Sequence, residues 1–331
     1  MNKLNNSLTK TIAKYISNEK MGFSHVSLLE AYAELRDTYA GLKNNIGVSR
    51  DNPLISNNQQ RLAYLLSRMP ATTAVVSKIL NEVESIPHLQ KVSSVLDLGS
   101  GTGTVLWAIM NSQLKPEKIT AIDQDNYIID LAKELTALNH DAFWQTVQWH
   151  QIDLRKKFDV KPHDLVTLSY ILIEQSMDNI KQILERIWEL SNHALLIIEP
   201  GIPKGFKNIL FARNYFIEKG GYIAAPCSHM GLCPLRDDWC HFNERIERTY
   251  WQRKMKDAVL GYEDEPYSYL LVTKKSVEKT GERILSSPRK KSGHVMLELC
   301  APEEIKKITI TRSMKDRYKS AKKKKPGDVW N

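Results

Sequence analysis

The sequence is poor in cysteine, glycine and proline, and it contains no long hydrophobic run. Four cysteines in 331 residues are too few for a disulfide-rich scaffold, and 15 glycines with 13 prolines are too few for a low-complexity chain. Nowhere do about eighteen apolar residues follow one another, so we expect no membrane span. The N-terminus lacks the apolar core of a secretory signal, which makes export and disulfides unexpected. Its mildly cationic start fits a transit peptide or, as we favour, an ordinary amphipathic helix.

Positive charge is concentrated at the C-terminus. The chain carries a net charge of +9. Residues 306–331 contain ten Lys/Arg and two Asp, a net of +8, which leaves about +1 for the rest. A cationic segment of this kind suits a polyanion such as RNA, with Tyr318 and Trp330 as candidates for stacking on an unpaired base. The alternative is a solvated, disordered tail that only aids solubility.

Hydrophobic periodicity indicates helices before residue 90 and an α/β pattern after it. Helices are predicted near 28–42 and 62–80, the second interrupted by Pro70. Apolar runs predict successive strands at 95–98, 119–122, 147–152, 164–168 and 194–198. Because helical stretches separate these strands, we expect a doubly wound parallel sheet that binds its ligand at the carboxyl ends of the strands.

The pattern predicts three regions. Residues 1–90 form a helical N-terminal region, and 91–282 form a nucleotide-binding α/β domain that includes a cysteine-rich loop at 225–242. A strand at 267–273 completes the sheet of that domain. Residues 283–331 form a small basic C-terminal β module with strands at 294–299 and 308–311.

A glycine-rich turn follows the first predicted strand. Asp97 precedes three glycines, Gly99, Gly101 and Gly103, in the pattern G-x-G-x-G. Thr104 occupies the next position, so the pattern departs from the G-x-G-x-x-G of dinucleotide-binding proteins. The segment resembles the first motif of class I methyltransferases. That resemblance implies that the turn contacts the methionine part of S-adenosylmethionine and that the acid helps to bind its amino group.

Two further acids end the next two strands. Asp123 ends the second strand, where a carboxylate can accept both ribose hydroxyls, with Asp125 as a nearby substitute. Asp153 ends the third strand, where such folds hold the adenine amino group. Three acids at three successive strand ends favour a cofactor site. The alternatives are a sheet that has lost its ligand and, less favoured, a nicotinamide cofactor.

The segment after the fourth strand does not identify a catalytic group. It reads S-Y-I-L-I-E at 169–174, without the Asn/Asp-Pro-Pro-aromatic motif of enzymes that methylate base amino groups. No cysteine follows the fourth or fifth strand, where a 5-methylcytosine enzyme has its nucleophile. Tyr170 and Glu174 are candidates for an acceptor pocket, but core packing and a surface acid are the favoured interpretations. No catalytic residue is assigned.

The cysteines are unevenly distributed. Three lie close together in the loop, and the fourth is about sixty residues downstream: Cys227, Cys233, Cys240 and Cys300. Clustered thiols indicate metal ligation, by tetrahedral zinc or an iron–sulfur cluster. The absence of C-x2-C spacing favours the cluster. His229 and His241 are alternative ligands, and inert cysteines are the remaining interpretation.

Several segments together resemble a known family. They are R-M-P-A-T at 68–72, L-D-L-G-S-G-T-G at 96–103, E-P-G at 199–201, A-P-C-S-H-M-G-L-C-P-L at 225–235, D-W-C-H-F at 238–242, E-D-E-P-Y-S-Y-L at 263–270, S-P-R-K at 287–290, G-H-V-M-L-E-L-C at 293–300 and G-D-V-W at 327–330. The series is similar to the mitochondrial small-ribosomal-subunit methyltransferase-like family and its bacterial relatives. The resemblance implies a class I methyltransferase fold, association with small-subunit ribosomal RNA, a role in ribosome assembly, and a [4Fe–4S] cluster on the four cysteines.

Three functional hypotheses follow. The first is an S-adenosylmethionine-dependent, methyltransferase-like factor that binds small-subunit ribosomal RNA and assists subunit assembly. The second is an active methyltransferase on a non-ribosomal substrate, and the third is a non-enzymatic, cluster-bearing RNA-binding factor with a vestigial cofactor pocket. We expect a monomer without membrane association. The predicted location is the bacterial cytoplasm, or the mitochondrion if the chain comes from a eukaryote.

Overall fold

The computed structural model describes residues 6–18, 25–44, 55, 57–279 and 281–331. The chain divides into two compact units. The first unit contains residues 1–192 and 244–265, and the second contains 193–243 and 266–331. The boundaries of the three regions predicted above stay a prediction. Within the described ranges, no helix is long and apolar enough to cross a membrane.

The N-terminal part of the first unit is helical, as the periodicity predicted. Its helices are α1 (Asn6–Asn18), α2 (His25–Asn44), α3 (Asn58–Ser67) and α4 (Met69–Glu84). The Asn57 side chain caps α3 by accepting a hydrogen bond from the Gln60 amide, and Pro70 lies in the first turn of α4, where its missing N–H costs nothing. Apolar side chains of α1, α2 and α3 share one core with Trp107 and Leu131, so these helices pack directly against the α/β part of their unit.

The first unit contains four parallel strands in the order β3-β2-β1-β4. They are β1 (Ser94–Leu98), β2 (Lys118–Asp123), β3 (Val147–Gln151) and β4 (His163–Ser169). The helices α5 (Thr104–Met110), α6 (Asn126–Ala137) and α7 (Met177–Glu189) follow β1, β2 and β4 respectively. A sheet of parallel strands joined by helices confirms the predicted α/β class. Because Leu98 lies opposite Ile122, the ends of β1 and β2 meet at one edge.

Antiparallel pairing begins after α7. The strand β5 (Ser191–Pro200) leads into helix α8 (Pro203–Glu218) and then into β6 (Tyr222–Ala225). The strand β7 (Phe242–Glu247) and helix α9 (Tyr250–Met255) precede β8 (Tyr262–Thr273). Both β5 and β6 pair antiparallel with β8, in a register that sets Ala194 and Tyr222 opposite Thr273.

The C-terminal residues form a small antiparallel sheet of their own. Its strands are β9 (Glu282–Ile284), β10 (Arg289–Lys291), β11 (His294–Ala301), β12 (Glu304–Thr311) and β13 (Val329–Trp330), with helix α10 (Lys315–Lys323) between β12 and β13. Val295, Ala321 and Trp330 belong to its core. The alternative of a disordered basic tail is therefore wrong, because α10 and β13 bury apolar side chains that a solvated segment would expose.

Candidate functional site

The glycine-rich turn lies between β1 and α5 and opens to one side. Gly99 has a φ of +68°, a backbone conformation that favours glycine, and a Cβ at this position would lie 2.2 Å from Ile171 Cδ1, so that side chain would have to move. Gly101 has a φ of +53°, but a Cβ there would meet no heavy atom within 4 Å. Gly103 precedes the first turn of α5. The backbone at Gly101 is thus open to the close approach of a ligand.

Asp123, at the end of β2, is tied to this turn. Its Oδ2 accepts a hydrogen bond from the Gly101 amide at 2.8 Å, and its Oδ1 accepts one from the Asp125 amide at 3.0 Å. Burial raises the pKa of Asp123, while these two amides oppose the rise. The Asp125 side chain caps α6 instead, since its Oδ1 accepts a hydrogen bond from the Tyr127 amide at 2.9 Å.

Asp97 is buried near the end of β1, just before the glycine-rich turn. Its Oδ1 accepts a hydrogen bond from the Thr167 hydroxyl at 2.7 Å, whereas its Oδ2 accepts no hydrogen bond of standard geometry from the described atoms. Burial raises the pKa of Asp97 to about 7, against the lowering effects of the nearby Thr167 and Ser100 hydroxyls. A carboxylate buried in this way is costly, and a cationic ligand group beside Oδ2 would reduce that cost.

Asp153 lies beyond the end of β3 in an ion pair. Its two oxygens accept from Arg155 at 2.9 and 3.0 Å, and this pairing lowers the pKa of Asp153. The Ile152 amide donates to the Asp123 carbonyl at 2.8 Å, which brings the chain before Asp153 beside the end of β2. All three predicted acids thus belong to the first unit, but the carboxylate of Asp153 is already engaged by a neighbour.

Glu174 is half-buried, so its favoured sequence interpretation as a surface acid holds only in part. Burial and then the nearby Asp123 raise the pKa of Glu174 to about 8. Tyr64 of α3 lies in the same region, where it hydrogen-bonds Thr104 and interacts with Glu174 and Asp123. No spacing rule signals this cluster, because packing of an N-terminal helix creates it.

The four cysteines come together in the second unit. All four are free thiols and line one cavity, together with apolar side chains such as Phe206, Ile209 and Leu270. Two hydrogen bonds connect Cys300 of β11 to the cysteine-rich loop: the Ser228 hydroxyl donates to the Cys300 carbonyl at 3.0 Å, and His229 Nε2 lies 3.4 Å from Cys300 Sγ. The strand β8 joins the same site, since the Ser268 hydroxyl donates to the Cys240 carbonyl at 2.7 Å.

Cationic side chains fix the backbone of the cysteine-rich loop. Arg213 donates to the carbonyls of His229 and Gly231 at 3.1 and 2.7 Å. Arg283 donates to the Pro226 carbonyl at 2.6 Å, and Lys279 donates to the Cys227 carbonyl. Positive charge is therefore built into the surroundings of the thiols.

The surroundings of Cys240 and Cys300 oppose the ionisation of their thiols. Burial, followed by the other cysteines, raises the pKa of Cys240 well above its ordinary value and that of Cys300 to about 12. Arg213 and Arg283 oppose the rise at Cys300. Four thiols and no carboxylate line this cavity, a donor set that fits a thiolate-bound metal centre. Yet no three His, Cys, Asp or Glu side chains in the described ranges are placed to share a single metal ion.

The parallel sheet and the glycine turn at the end of β1 define a class I methyltransferase-like α/β protein. The chain belongs to the Rsm22 family, since the family model described as mitochondrial small ribosomal subunit Rsm22 matches residues 58–331. This match confirms the family that the sequence motifs predicted.

The individual relatives share low sequence identity with this chain. The chain is 24% identical over 292 residues to the human mitochondrial ribosome assembly protein METTL17, covering 81% of this chain and 62% of that protein. It is 27% identical over 186 residues to the Saccharomyces cerevisiae mitochondrial ribosome assembly protein RSM22, covering 35% and 29%. An O-methyltransferase family protein from Burkholderia thailandensis is 14% identical, with 76% and 72% coverage and a TM-score of 0.46. The chain thus spans less than two thirds of the length of both curated relatives.

Proposed function

We propose that this chain binds S-adenosylmethionine, carries an iron–sulfur cluster and binds small-subunit ribosomal RNA during assembly of the small ribosomal subunit. The observation that carries the proposal is membership of the Rsm22 family over residues 58–331, a range that contains both candidate sites. The human and yeast relatives are named as mitochondrial ribosome assembly proteins. Location in a mitochondrion or in a bacterial cytoplasm stays a prediction.

The residues of the turn fit the proposed cofactor. The buried Oδ2 of Asp97, which accepts no hydrogen bond of standard geometry, is an acceptor for the ammonium group of S-adenosylmethionine, and the open backbone at Gly101 admits its methionine part. Asp123 retains acceptor capacity for ribose hydroxyls beyond its two amide bonds. Asp153 would serve the adenine amino group only by sharing its carboxylate with Arg155. When bound, the cofactor supplies an electrophilic methyl group, and the acceptor remains unassigned.

The four thiols fit the donor set of the proposed cluster. Cys227, Cys233, Cys240 and Cys300 line one cavity, and four cysteine thiolates are the usual ligands of a [4Fe–4S] cluster. Arg213 and Arg283 favour the thiolate form by their charge. Zinc is the alternative metal.

Exposed cations of the C-terminal sheet support the RNA partner. The strand β10 presents Arg289, Lys290 and Lys291 to solvent, and α10 adds Lys319. The role predicted for Trp330 is wrong: this residue is 6% exposed, and Arg317 covers its ring at 5.3 Å, so it is not free to stack on a base.

Replacing exposed lysines should test the RNA partner without unfolding the chain. The variant changes three lysines of the second unit to glutamine: Lys290, Lys291 and Lys319. We expect weaker binding to ribosomal RNA fragments and a log–log salt slope reduced by about 0.7–0.9 for each phosphate that is no longer neutralised. Fluorescence anisotropy at several salt concentrations measures both.

The control for this variant carries the same change in net charge on the first unit. It replaces three exposed lysines with glutamine: Lys91, Lys118 and Lys181. Equal weakening of RNA binding in both variants would contradict a localised RNA surface.

Two further experiments distinguish an assembly factor from a methyltransferase. They are crosslinking with sequencing of the bound RNA, and mapping of ribosomal RNA modifications with and without the protein. Crosslinks absent from small-subunit RNA would favour a methyltransferase with another substrate.

Cofactor binding should depend on pH through Asp97. Its pKa of about 7 applies to the free site, and an ammonium group beside it would lower that value. Binding below pH 7 therefore releases a proton, so we expect affinity to fall by up to about tenfold per pH unit below 7 and to level off above it. Calorimetry in buffers of different ionisation enthalpy counts the proton.

Asp97→Asn is the control for this pH dependence. It should bind the cofactor weakly at every pH and should lose the dependence below pH 7. A wild-type affinity that is constant between pH 5.5 and 7.5 would contradict the role of Asp97.

A further inference from the structure

The second unit contains an open pocket of about 670 Å³ in addition to the cavity that all four cysteines line. Residues of the cysteine-rich loop form one side of it, and residues of β11 and β12 form the other. Its volume lies within the range of about 300–1,000 Å³ found for small-molecule sites. Aromatic, acidic and cationic side chains line it together, so it offers both a stacking surface and polar groups to a ligand.

Two stacked rings form the aromatic wall. The centroids of Trp239 and His241 lie 5.3 Å apart with an interplanar angle of 22°. The indole N–H of Trp239 donates to the Gly201 carbonyl at 3.0 Å, and His241 Nδ1 donates to the Trp239 carbonyl at 3.1 Å. Because these bonds hold both rings in place, a planar ligand that stacks on them would lose little affinity to ordering of the rings.

The opposite wall holds an ionised carboxylate. Glu298 of β11 accepts a hydrogen bond from the Ser286 hydroxyl at 2.7 Å, and this bond contributes most to lowering the pKa of Glu298. Lys307 and Arg289 lie 3.5 and 3.7 Å from its Oε1, with side chains 67% and 68% exposed. The carboxylate repels a phosphate inside the pocket, while the two exposed cations attract one at the rim.

We propose that this pocket binds one unpaired nucleotide of an RNA strand. The base stacks on the outer face of the Trp239–His241 pair, an amino group on its edge donates to Glu298, and its phosphate lies at Lys307. This inference rests on the proposed RNA-binding function and identifies the pocket in which one base of the RNA is recognised. Adenine, guanine and cytosine carry the required amino group, whereas uracil presents carbonyl oxygens to the carboxylate.

The position of Cys240 connects this pocket to the cysteine cavity. Cys240 lies between the two stacked residues in the sequence and lines both cavities. A metal bound to its thiolate would fix the backbone that carries the aromatic wall. Loss of the metal should therefore weaken RNA binding even when the basic surface is intact.

The test uses the full, metal-loaded chain and fluorescein-labelled single-stranded 12-mers of adenosine or uridine. We expect tighter binding of the adenosine strand. His241→Ala should weaken that binding roughly 5- to 100-fold, the range expected when one base no longer stacks. Glu298→Gln should remove the preference for adenosine over uridine, because an amide offers a donor as well as an acceptor. Ultraviolet crosslinking should attach RNA to the peptide that contains Trp239 and His241.

The strand β12 supplies a matched control for charge. Lys306 and Lys307 are neighbours on opposite faces of the strand, and Lys306 faces Glu282 at 3.4 Å instead of the pocket. Lys307→Ala should weaken RNA binding more than Lys306→Ala. Iron content and the absorbance near 400 nm verify that each variant keeps its metal.

The outcomes separate this inference from the broader function. If His241→Ala, Glu298→Gln and Lys307→Ala all bind RNA with wild-type affinity, the proposed nucleotide pocket is wrong. A pocket that binds a peptide instead of RNA would give this same result. The broader RNA-binding function would then be tested by the glutamine variant of Lys290, Lys291 and Lys319 alone. An intact chain that binds neither 12-mer nor ribosomal RNA would overturn both proposals.

Discussion

Cys300→Ser is expected to abolish metal binding and to loosen the small C-terminal sheet. Cys300 lies in β11, opposite Arg283 of β9 and Ile305 of β12, so its thiol is carried by the centre of that sheet. Serine is close in size, and the packing loss is therefore small. The loss of a ligand is large, because the binding energy of a structural metal, on the order of 10 kcal/mol in zinc-finger peptides, is also folding energy.

Anaerobic purification followed by metal analysis measures the first part of this prediction. The wild type should contain iron and absorb broadly near 400 nm, and Cys300→Ser should do neither. Thermal unfolding and amide hydrogen exchange should show weaker protection in β9, β11 and β12. A wild-type protein with stoichiometric zinc and no iron would contradict the cluster but keep the site, and one with neither metal would contradict both.

Ser228→Ala is the control for Cys300→Ser. It removes the hydrogen bond to the Cys300 carbonyl and leaves all four sulfurs in place. We expect it to keep its metal and to lose about 1 kcal/mol of unfolding free energy, as for one ordinary hydrogen bond. Equal destabilisation by both substitutions would mean that the connection between loop and strand, rather than the metal, stabilises the sheet.

Asp123→Ala should weaken S-adenosylmethionine binding by roughly 10- to 150-fold. This range corresponds to the loss of about 1.5–3 kcal/mol for one charge-assisted hydrogen bond. The same carboxylate accepts from the Gly101 amide at 2.8 Å, so the substitution also releases the turn that the ligand must contact. Isothermal titration calorimetry of the metal-loaded protein measures the change. An intact protein that binds no S-adenosylmethionine would favour the vestigial-pocket hypothesis.

Asp125→Ala should give the opposite pattern. Its side chain caps α6, and loss of such a cap costs about 1 kcal/mol of stability. We expect a lower melting temperature with cofactor affinity close to that of the wild type. If Asp125→Ala weakened binding and Asp123→Ala did not, Asp125 would be the ribose ligand.

Local patterns in the sequence were sufficient to predict the fold class and the position of the glycine-rich turn. Periodicity reports which face of a segment is buried, and glycine reports backbone angles that other residues avoid, so neither depends on distant parts of the chain. The parallel strands and the positive φ of Gly99 and Gly101 could therefore be predicted. The motif series predicted the family in the same way, since it needs no knowledge of which residues touch.

Only the tertiary structure decided which distant residues lie together. Pairing of β11 with β9 and the hydrogen bond of Ser228 bring Cys300 to a loop that ends some sixty residues earlier. Packing of α3 places Tyr64 near Glu174, and the core of the C-terminal sheet buries Trp330, so the environments of one acid and one aromatic differ from those that the sequence predicts. Spacing along the chain contains no information about these distances, because they are set by strand register and by the burial of apolar faces that belong to other segments.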